Sequence, residues 1–365
     1  MHIEEKIKKK ILNEGPISFH DYMEMALYDP CDGYYNSVAD KIGKDGDYYT
    51  SPCLTNIFGA MIGKQIEEMW EKIGEPAFAI IEYGAGNGTL CFDILQYLKK
   101  NSSLYKNLTY YIIEKSPAMI ESEKNLLVAF PDKVKWINSI SEVAGITGCV
   151  LSNELVDNFS THQVIMQDEL MEVFVDYNGK FAEQLKPASE ELKNYLTRFN
   201  ILLPGNYRTE INLEAENWMK EVAAALKKGF VLTIDYGHTA AELYNEQRKT
   251  GTLLCFFKHT INDNAFDHIG EQDITTHVNF SALAKAGAVN GLNCCGYTTQ
   301  SSFLFSNGVV NYIRHLEACT RSIDCNQLSL YMLLYKMGQK IKVLMQEKGV
   351  GAVSFPTMQF SLKLT

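Results

Sequence analysis

The sharpest chemical signal in this 365-residue chain is Glu82-Tyr83-Gly84-Ala85-Gly86-Asn87-Gly88. Its three alternating glycines allow positive φ and close backbone approach, and a helix starting directly after them would offer free N–H groups to a ligand. Two classes of adenosine cofactor use such a turn. The dinucleotide fingerprint needs Gly-x-Gly-x-x-Gly, and its third glycine would fall on Thr89. Glu82, two residues ahead of Gly84, suits a ligand carrying an ammonium group, such as the methionine part of S-adenosylmethionine, and would repel a pyrophosphate. Glu114 closes a second apolar run, where a carboxylate can accept hydrogen bonds from both ribose hydroxyls. Together these residues predict an adenosine cofactor, with NAD still open on their evidence alone.

A second set of residues could act on an acceptor. Asn153 and Glu154 end a later apolar run, Asp157 follows one turn on, and Asp235 ends the next run, with His277 after Asp273-Ile274-Thr275-Thr276. Methylating enzymes for nucleobases or glutamine carry Asn or Asp followed by Pro-Pro-Tyr at the first of these places. Here the sequence is Asn153-Glu154-Leu155-Val156. Carboxylates suit a cationic acceptor instead. A guanidinium has a pKa above about 12, so Glu154 and Asp157 would orient it and take its proton as the methyl moves. Asp235 or His277 could add a carboxylate or an imidazole. Helix N-terminal charge stabilisation and loop capping are the plainer roles for the same side chains.

These residues must be positioned by regular elements. Phe78 to Tyr83, Leu108 to Glu114, Val134 to Ile137, Gly148 to Glu154 and Phe230 to Tyr236 read as five strands. They alternate with helices, as over Thr89 to Lys99, which predicts a parallel sheet covered on both faces. The fold class expected is α/β: a Rossmann-like sheet with an N-terminal helical extension and a β-containing insertion. Residues 1–76 would form that extension and a lid loop, 77–154 the first half of the core, 155–229 the insertion and 230–365 the second half. Within the extension, Ser18 to Leu27 reads as a helix, and a loop runs through Gly33, Gly43 and Gly46. One helix is expected from an N-cap at Ser51, with Pro52 at its first position and an apolar face from Leu54 to Trp70. The insertion shows a hairpin pattern, His162 to Met166 and Leu170 to Tyr177, and a further turn at Asn178-Gly179. Late elements are a helix over Phe280 to Val289, a β-like stretch Leu292 to Thr299, helices Val309 to Ala318 and Gln327 to Gly338, and a short strand Ile341 to Met345.

Composition narrows the function. A formal net charge of −10 weighs against a nucleic-acid backbone as partner, since such binding draws on Lys and Arg. No apolar run reaches the length of about 18 residues that a membrane span needs, and the charged start Met1-His2-Ile3-Glu4-Glu5-Lys6 is neither a secretory signal nor a transit peptide. A cytoplasmic protein is expected. The nine cysteines form no Cys-x-x-Cys pair, so reduced thiols are expected and no metal. Gly-x-Ser-x-Gly, His-Glu-x-x-His and Walker motifs do not occur.

The stretches, taken in order, resemble the MidA-like methyltransferases through nearly the full chain. Gly15-Pro16-Ile17, Tyr22 to Tyr28 and Gly33-Tyr34-Tyr35 are similar to the family's opening. Gly46-Asp47-Tyr48-Tyr49-Thr50-Ser51-Pro52 is similar to its Gly-Asp-Phe-x-Thr-Ser-Pro loop, Glu82 to Leu90 to its glycine turn, and Glu114-Lys115-Ser116-Pro117 to its second-strand end. Ser152-Asn153-Glu154 with Asp157, Ile234 to Gly237, Gly251-Thr252-Leu253, Asp273 to Val278 and Met337-Gly338 also match. The chain departs from the family at Ala85, Cys53 and Phe159-Ser160.

The resemblance implies a methyltransferase that uses S-adenosyl-L-methionine. Its cofactor contacts would come from Glu82, Gly84, Ala85, Gly86, Gly88, Thr89, Leu90, Glu114, Lys115, Ser116 and Asn153, with the loop Gly46 to Pro52, including Thr50, Ser51 and Pro52, closing over the site. The family's mitochondrial member is a protein arginine methyltransferase needed for respiratory complex I assembly, which implies a protein acceptor presenting a basic side chain, an arginine first. Two other readings are a non-catalytic assembly protein that keeps the cofactor fold and an NAD-dependent oxidoreductase.

Overall fold

The computed structural model describes residues 2–37, 41–43, 46–319, 327–359 and 363–364, the side chains of 317–319 excepted. Residues 38–40 and 44–45 of the expected loop through Gly33, Gly43 and Gly46, and Met1, lie outside the described residues.

The central sheet has seven long strands: β1 (Phe78–Tyr83), β2 (Leu108–Ile113), β3 (Val134–Ile137), β4 (Ile146–Asn153), β5 (Leu226–His238), β6 (Asn293–Thr299) and β7 (Ile341–Lys348). Their order is β3-β2-β1-β4-β5-β7-β6. The five from β3 to β5 run parallel, and β7 is antiparallel to both of its neighbours. Strand β1 is buried on both faces, as parallel strands under helices must be. Phe78 and Ile80 join one core with the helices Asn56–Ile73 and Thr89–Leu98, while Ile81 joins another with the helix Leu213–Ala225 through Trp218, Met219 and Val222. Among the described residues no helix is long and apolar enough to cross a membrane.

Between β4 and β5, strands His162–Met166, Leu170–Tyr177, Phe181–Pro187 and Arg208–Ile211 make an antiparallel sheet. Ile17–Ser18 adds to its edge through Val175 and Phe174. The connection after β5 builds a small sheet of Leu254–Phe257, Thr260–Asn262 and Asp273–Thr275. The N-terminal helices Ile3–Glu14 and Phe19–Tyr28 bury Ile3, Ile7, Tyr22 and Met23 against Val173, Val175, Cys255 and Ile274. Extension, insertion and late connection therefore share one core. They carry Tyr28, Tyr35 and Tyr48 to the carboxyl ends of β1 and β4.

Three local features differ from the sequence expectation. The helix from Ser51 is two helices, Ser51–Leu54 and Asn56–Ile73, separated at Thr55, which is extended (φ −170°) and caps the second through Ile57 N. Ser51 does not cap. Its hydroxyl donates to Gln300 Oε1 at 3.1 Å and its N–H to Glu154 Oε1 at 2.8 Å, so tertiary partners take both groups. The helix over Gln327 to Gly338 contains a π-helical turn at Met332–Lys336 and runs on to Lys340. The last strand extends to Lys348 and, with β6, adds antiparallel pairing to the sheet.

Candidate cofactor and acceptor site

The glycine turn leaves β1 with positive φ at Gly84 (+64°), Gly86 (+58°) and Gly88 (+82°). A Cβ on Gly84 would lie 2.7 Å from Leu155 Cδ1, and one on Gly88 3.3 Å from Glu123 Cα. Glu82 is buried below the turn, where Tyr110 donates its hydroxyl to Oε2 at 2.8 Å. Burial pushes the Glu82 carboxyl up to about 7, opposed by the Tyr110 hydrogen bond. Glu114, just past β2, accepts the N–H of Ser116 at 2.8 Å and those of Lys115 and Gly86, while burial raises its pKa. The Ser116 hydroxyl donates to Tyr35 O at 2.7 Å and caps the helix Pro117–Leu126, which ties the second strand's end to the roof.

These groups face a cavity of ≈ 360 Å³. Of the residues expected to contact a cofactor, Thr50, Pro52, Glu82, Gly84, Ala85, Gly86, Leu90, Glu114, Lys115, Ser116 and Asn153 line it. Ser51, Gly88 and Thr89 are not part of its lining: Ser51 is turned to Glu154 and Gln300, Gly88 sits over Glu123, and Thr89 opens the helix behind the turn. A second cavity of ≈ 430 Å³ adjoins, sharing Tyr28, Gly84, Glu114, Lys115 and Leu155 and continuing to Asn138, Ser139 and Trp218. Glu114 thus stands where the two meet.

The expected lid region forms a roof, but most of the residues that line it were not named as contacts from the sequence. Tyr28, Tyr35, Asn36, Ile42 and Tyr48 line the first cavity, as do Leu155 and Asn158. Tyr28 donates to Asn158 O at 2.8 Å and Tyr35 to Asp273 Oδ1 at 2.7 Å. The tyrosines concentrated in Tyr28 to Tyr49 were the available signal.

On the acceptor side, Glu154 lines the cavity with an unusual backbone, φ +50°. A left-handed non-glycine residue costs roughly 1–3 kcal/mol and persists when its surroundings over-determine it. Here its N–H donates to Ile234 O at 2.8 Å, and its Oε1 accepts Ser51 N at 2.8 Å and Asn153 Nδ2 at 3.2 Å. Burial raises the Glu154 carboxyl to about 7, partly offset by the Ser51 N–H. Asp157 is buried beside Asp235 and outside the cavity lining, its pKa raised well above the ordinary range by burial and then by Asp235. Asp235 does not line the cavity either. Its Oδ2 accepts the N–H groups of Leu155, Val156 and Asp157, capping the turn at Val156–Asn158. His277 also lies outside the lining, near His238 at 5.2 Å between ring centroids, and burial lowers it to about 4.

The residues fit S-adenosylmethionine. Asn153 Oδ1 is buried without a hydrogen-bond partner, and with Glu82 it supplies acceptors on the cavity wall for a cationic amino-acid end. Glu114 would supply the ribose acceptor, and the open glycine turn allows close backbone approach.

Comparison with known proteins decides between the adenosine cofactors. Residues 61–298 match the family of S-adenosyl-L-methionine-dependent methyltransferases designated Methyltransf_28. The chain belongs to this family. It is similar to the protein arginine methyltransferase NDUFAF7 homolog, mitochondrial, of Drosophila melanogaster, 28% identical over 329 residues covering 82% of this chain and 73% of that protein. The human protein arginine methyltransferase NDUFAF7, mitochondrial, is 27% identical, over 82% of this chain and 72% of its own. Among solved structures, a COG1565 superfamily member from Burkholderia thailandensis bound to S-adenosyl-homocysteine superposes with a TM-score of 0.89 at 26% identity, over 98% of this chain and 95% of that one.

The methyltransferase is thus an enzyme with a Rossmann-like α/β core, and its cofactor is S-adenosyl-L-methionine. The oxidoreductase and non-catalytic readings fall away. The bound cofactor supplies an electrophilic sulfonium methyl. Asn153, Glu82 and Glu114 would supply acceptors for its ammonium and ribose, and Glu154 lines the same cavity.

Proposed function

We propose that the methyltransferase transfers its methyl group to a guanidinium nitrogen of a protein arginine. The observation that carries this reading is Glu154, a half-buried carboxylate at the cavity wall pinned there by Ser51 N and Asn153 Nδ2. A cationic, planar acceptor placed against it would be oriented by charge-assisted hydrogen bonds. Attack by nitrogen forms the N–CH₃ bond as the S–CH₃ bond breaks, the sulfonium leaves as a neutral thioether, and the displaced N–H proton passes to Glu154. Positioning and exclusion of water would supply most of the rate. The names of the mitochondrial relatives agree with an arginine acceptor. The MidA-like resemblance makes subunits of a respiratory complex the first proteins to test.

The test is transfer of labelled methyl to arginine-containing protein, compared with Glu154→Gln. The variant should keep cofactor affinity within about threefold while kcat falls on the order of a hundredfold or more, the scale of a lost general base. Unchanged turnover, or label recovered on lysine alone, would overturn the proposal.

A further inference from the structure

The turn that presents Glu154 is held by a pair of buried acids, Asp235 and Asp157. Asp235, fully buried at the end of β5, accepts N–H groups from Leu155 (3.1 Å), Val156 (2.8 Å) and Asp157 (3.4 Å) on Oδ2 and from Tyr236 (2.7 Å) on Oδ1. Four N–H donors make this an ionised carboxylate. The second acid, Asp157, is itself 7% exposed and hydrogen-bonds Asp235. The charged groups that act on it most are Asp235, Asp273 and Glu154, all acidic, and the hydroxyls of Tyr28, Tyr48 and Tyr236 lie near it. Two carboxylates in contact in a dry interior cannot both ionise. Asp157 Oδ1 is also buried with no hydrogen-bond partner, a situation far costlier for an ionised group than for a neutral acid.

We propose that Asp157 is a neutral positioning residue, donating its proton to Asp235, and that the pair fixes the left-handed turn from which Glu154 reaches the acceptor. Asp157 is then no base in the transfer. The assignment builds on Glu154 as proton acceptor. In the folded chain Asp157 keeps its proton at neutral pH, and Asp235 stays ionised because four amides already point at it. Backbone capping by Asp235 and the Asp157 hydroxyl form one unit that spans β4 and β5.

Asp157→Ala removes the donor and should lower kcat about tenfold or more. Asp157→Asn restores an N–H donor toward Asp235 and should recover most of that loss, where a general base would be lost in both variants. Asp235→Asn, whose amide NH2 must face at least one backbone N–H (Tyr236, or the three on Oδ2), should be the most damaging of the three. A second readout needs no turnover. Wild type and Asp157→Asn are unfolded in urea from pH 5.5 to 8. The wild type holds one proton in the folded state that its unfolded chain has released, so its unfolding constant should rise relative to the variant's by about tenfold per pH unit. A flat difference, or an Asp157→Asn protein that is as inactive as Asp157→Ala or fails to fold, overturns the proposal. If Glu154→Gln proves fully active, the arginine reading fails, while the proton count still tests the acid pair on its own.

Discussion

Tyr110 donates its hydroxyl to Oε2 of Glu82 at 2.8 Å, with both side chains buried under the glycine turn. The bond spans β1 and β2, and a cofactor ammonium held at this carboxyl would compete with a proton for it. Glu82 is raised to about 7 chiefly by burial. Affinity for S-adenosylmethionine should therefore weaken below pH 7 by about tenfold per unit, and level off above it. Tyr110→Phe removes the one hydrogen bond that favours the charged form, so the inflection should move to higher pH. Calorimetric titrations from pH 5.5 to 8.5 check this, and a pH-independent affinity in either protein contradicts it.

The unliganded protein should lose thermal stability as pH rises from 6.5 to 9. Burial raises Glu82, Glu154 and Asp273 to about 7 and Glu123 to about 9. Each keeps a proton in the folded state that the unfolded chain has already released, so the folded state is progressively penalised as pH climbs toward those values. His20, raised to about 9 by hydrogen bonds to Asp21 and Glu214, contributes stability that is full below its unfolded value and fades as pH rises through about 9. His238 and His277, lowered to about 4 by burial, act oppositely, but only below their unfolded value near 6.5. Above that value the four carboxyls and His20 all point one way. Calorimetric midpoints that stay level or rise across the window would refute the assignment.

Gly84→Ala should be disproportionately harmful. Alanine at φ +64° costs about 1–2 kcal/mol, and its methyl would sit 2.7 Å from Leu155 Cδ1, a residue that lines both cavities. A lower melting temperature and at least about tenfold weaker cofactor binding, roughly 1.4 kcal/mol, are expected. Gly205→Ala is the control, since it has nothing within 4 Å and should change stability by no more than about 0.5 kcal/mol. Equal effects in the two variants would show that the turn's backbone is not what holds the cofactor.

The division between what sequence and structure supply follows the reach of the interactions. Strand, turn and helix from Phe78 to Leu98 are contiguous, and their conformations depend on near neighbours: apolar residues for the buried strand, glycines for positive φ, a helix start just after. That is why the cofactor turn, Glu114 and the parallel core were legible in the amino acids alone. The acceptor wall was not. Ser51 meets Glu154 across 103 residues, Leu155 meets Asp235 across 80, and Tyr35 meets Asp273 across 238. Thr55, a capping residue, starts the second helix, and Ser51 is taken by partners just past β4 and β6. Residue type alone showed that carboxylates gather near Glu154. Only tertiary packing decided that Asp235 spends its charge on backbone amides, that Glu154 alone of Glu154, Asp157 and Asp235 lines the cavity, and that tyrosines from the first fifty residues close it.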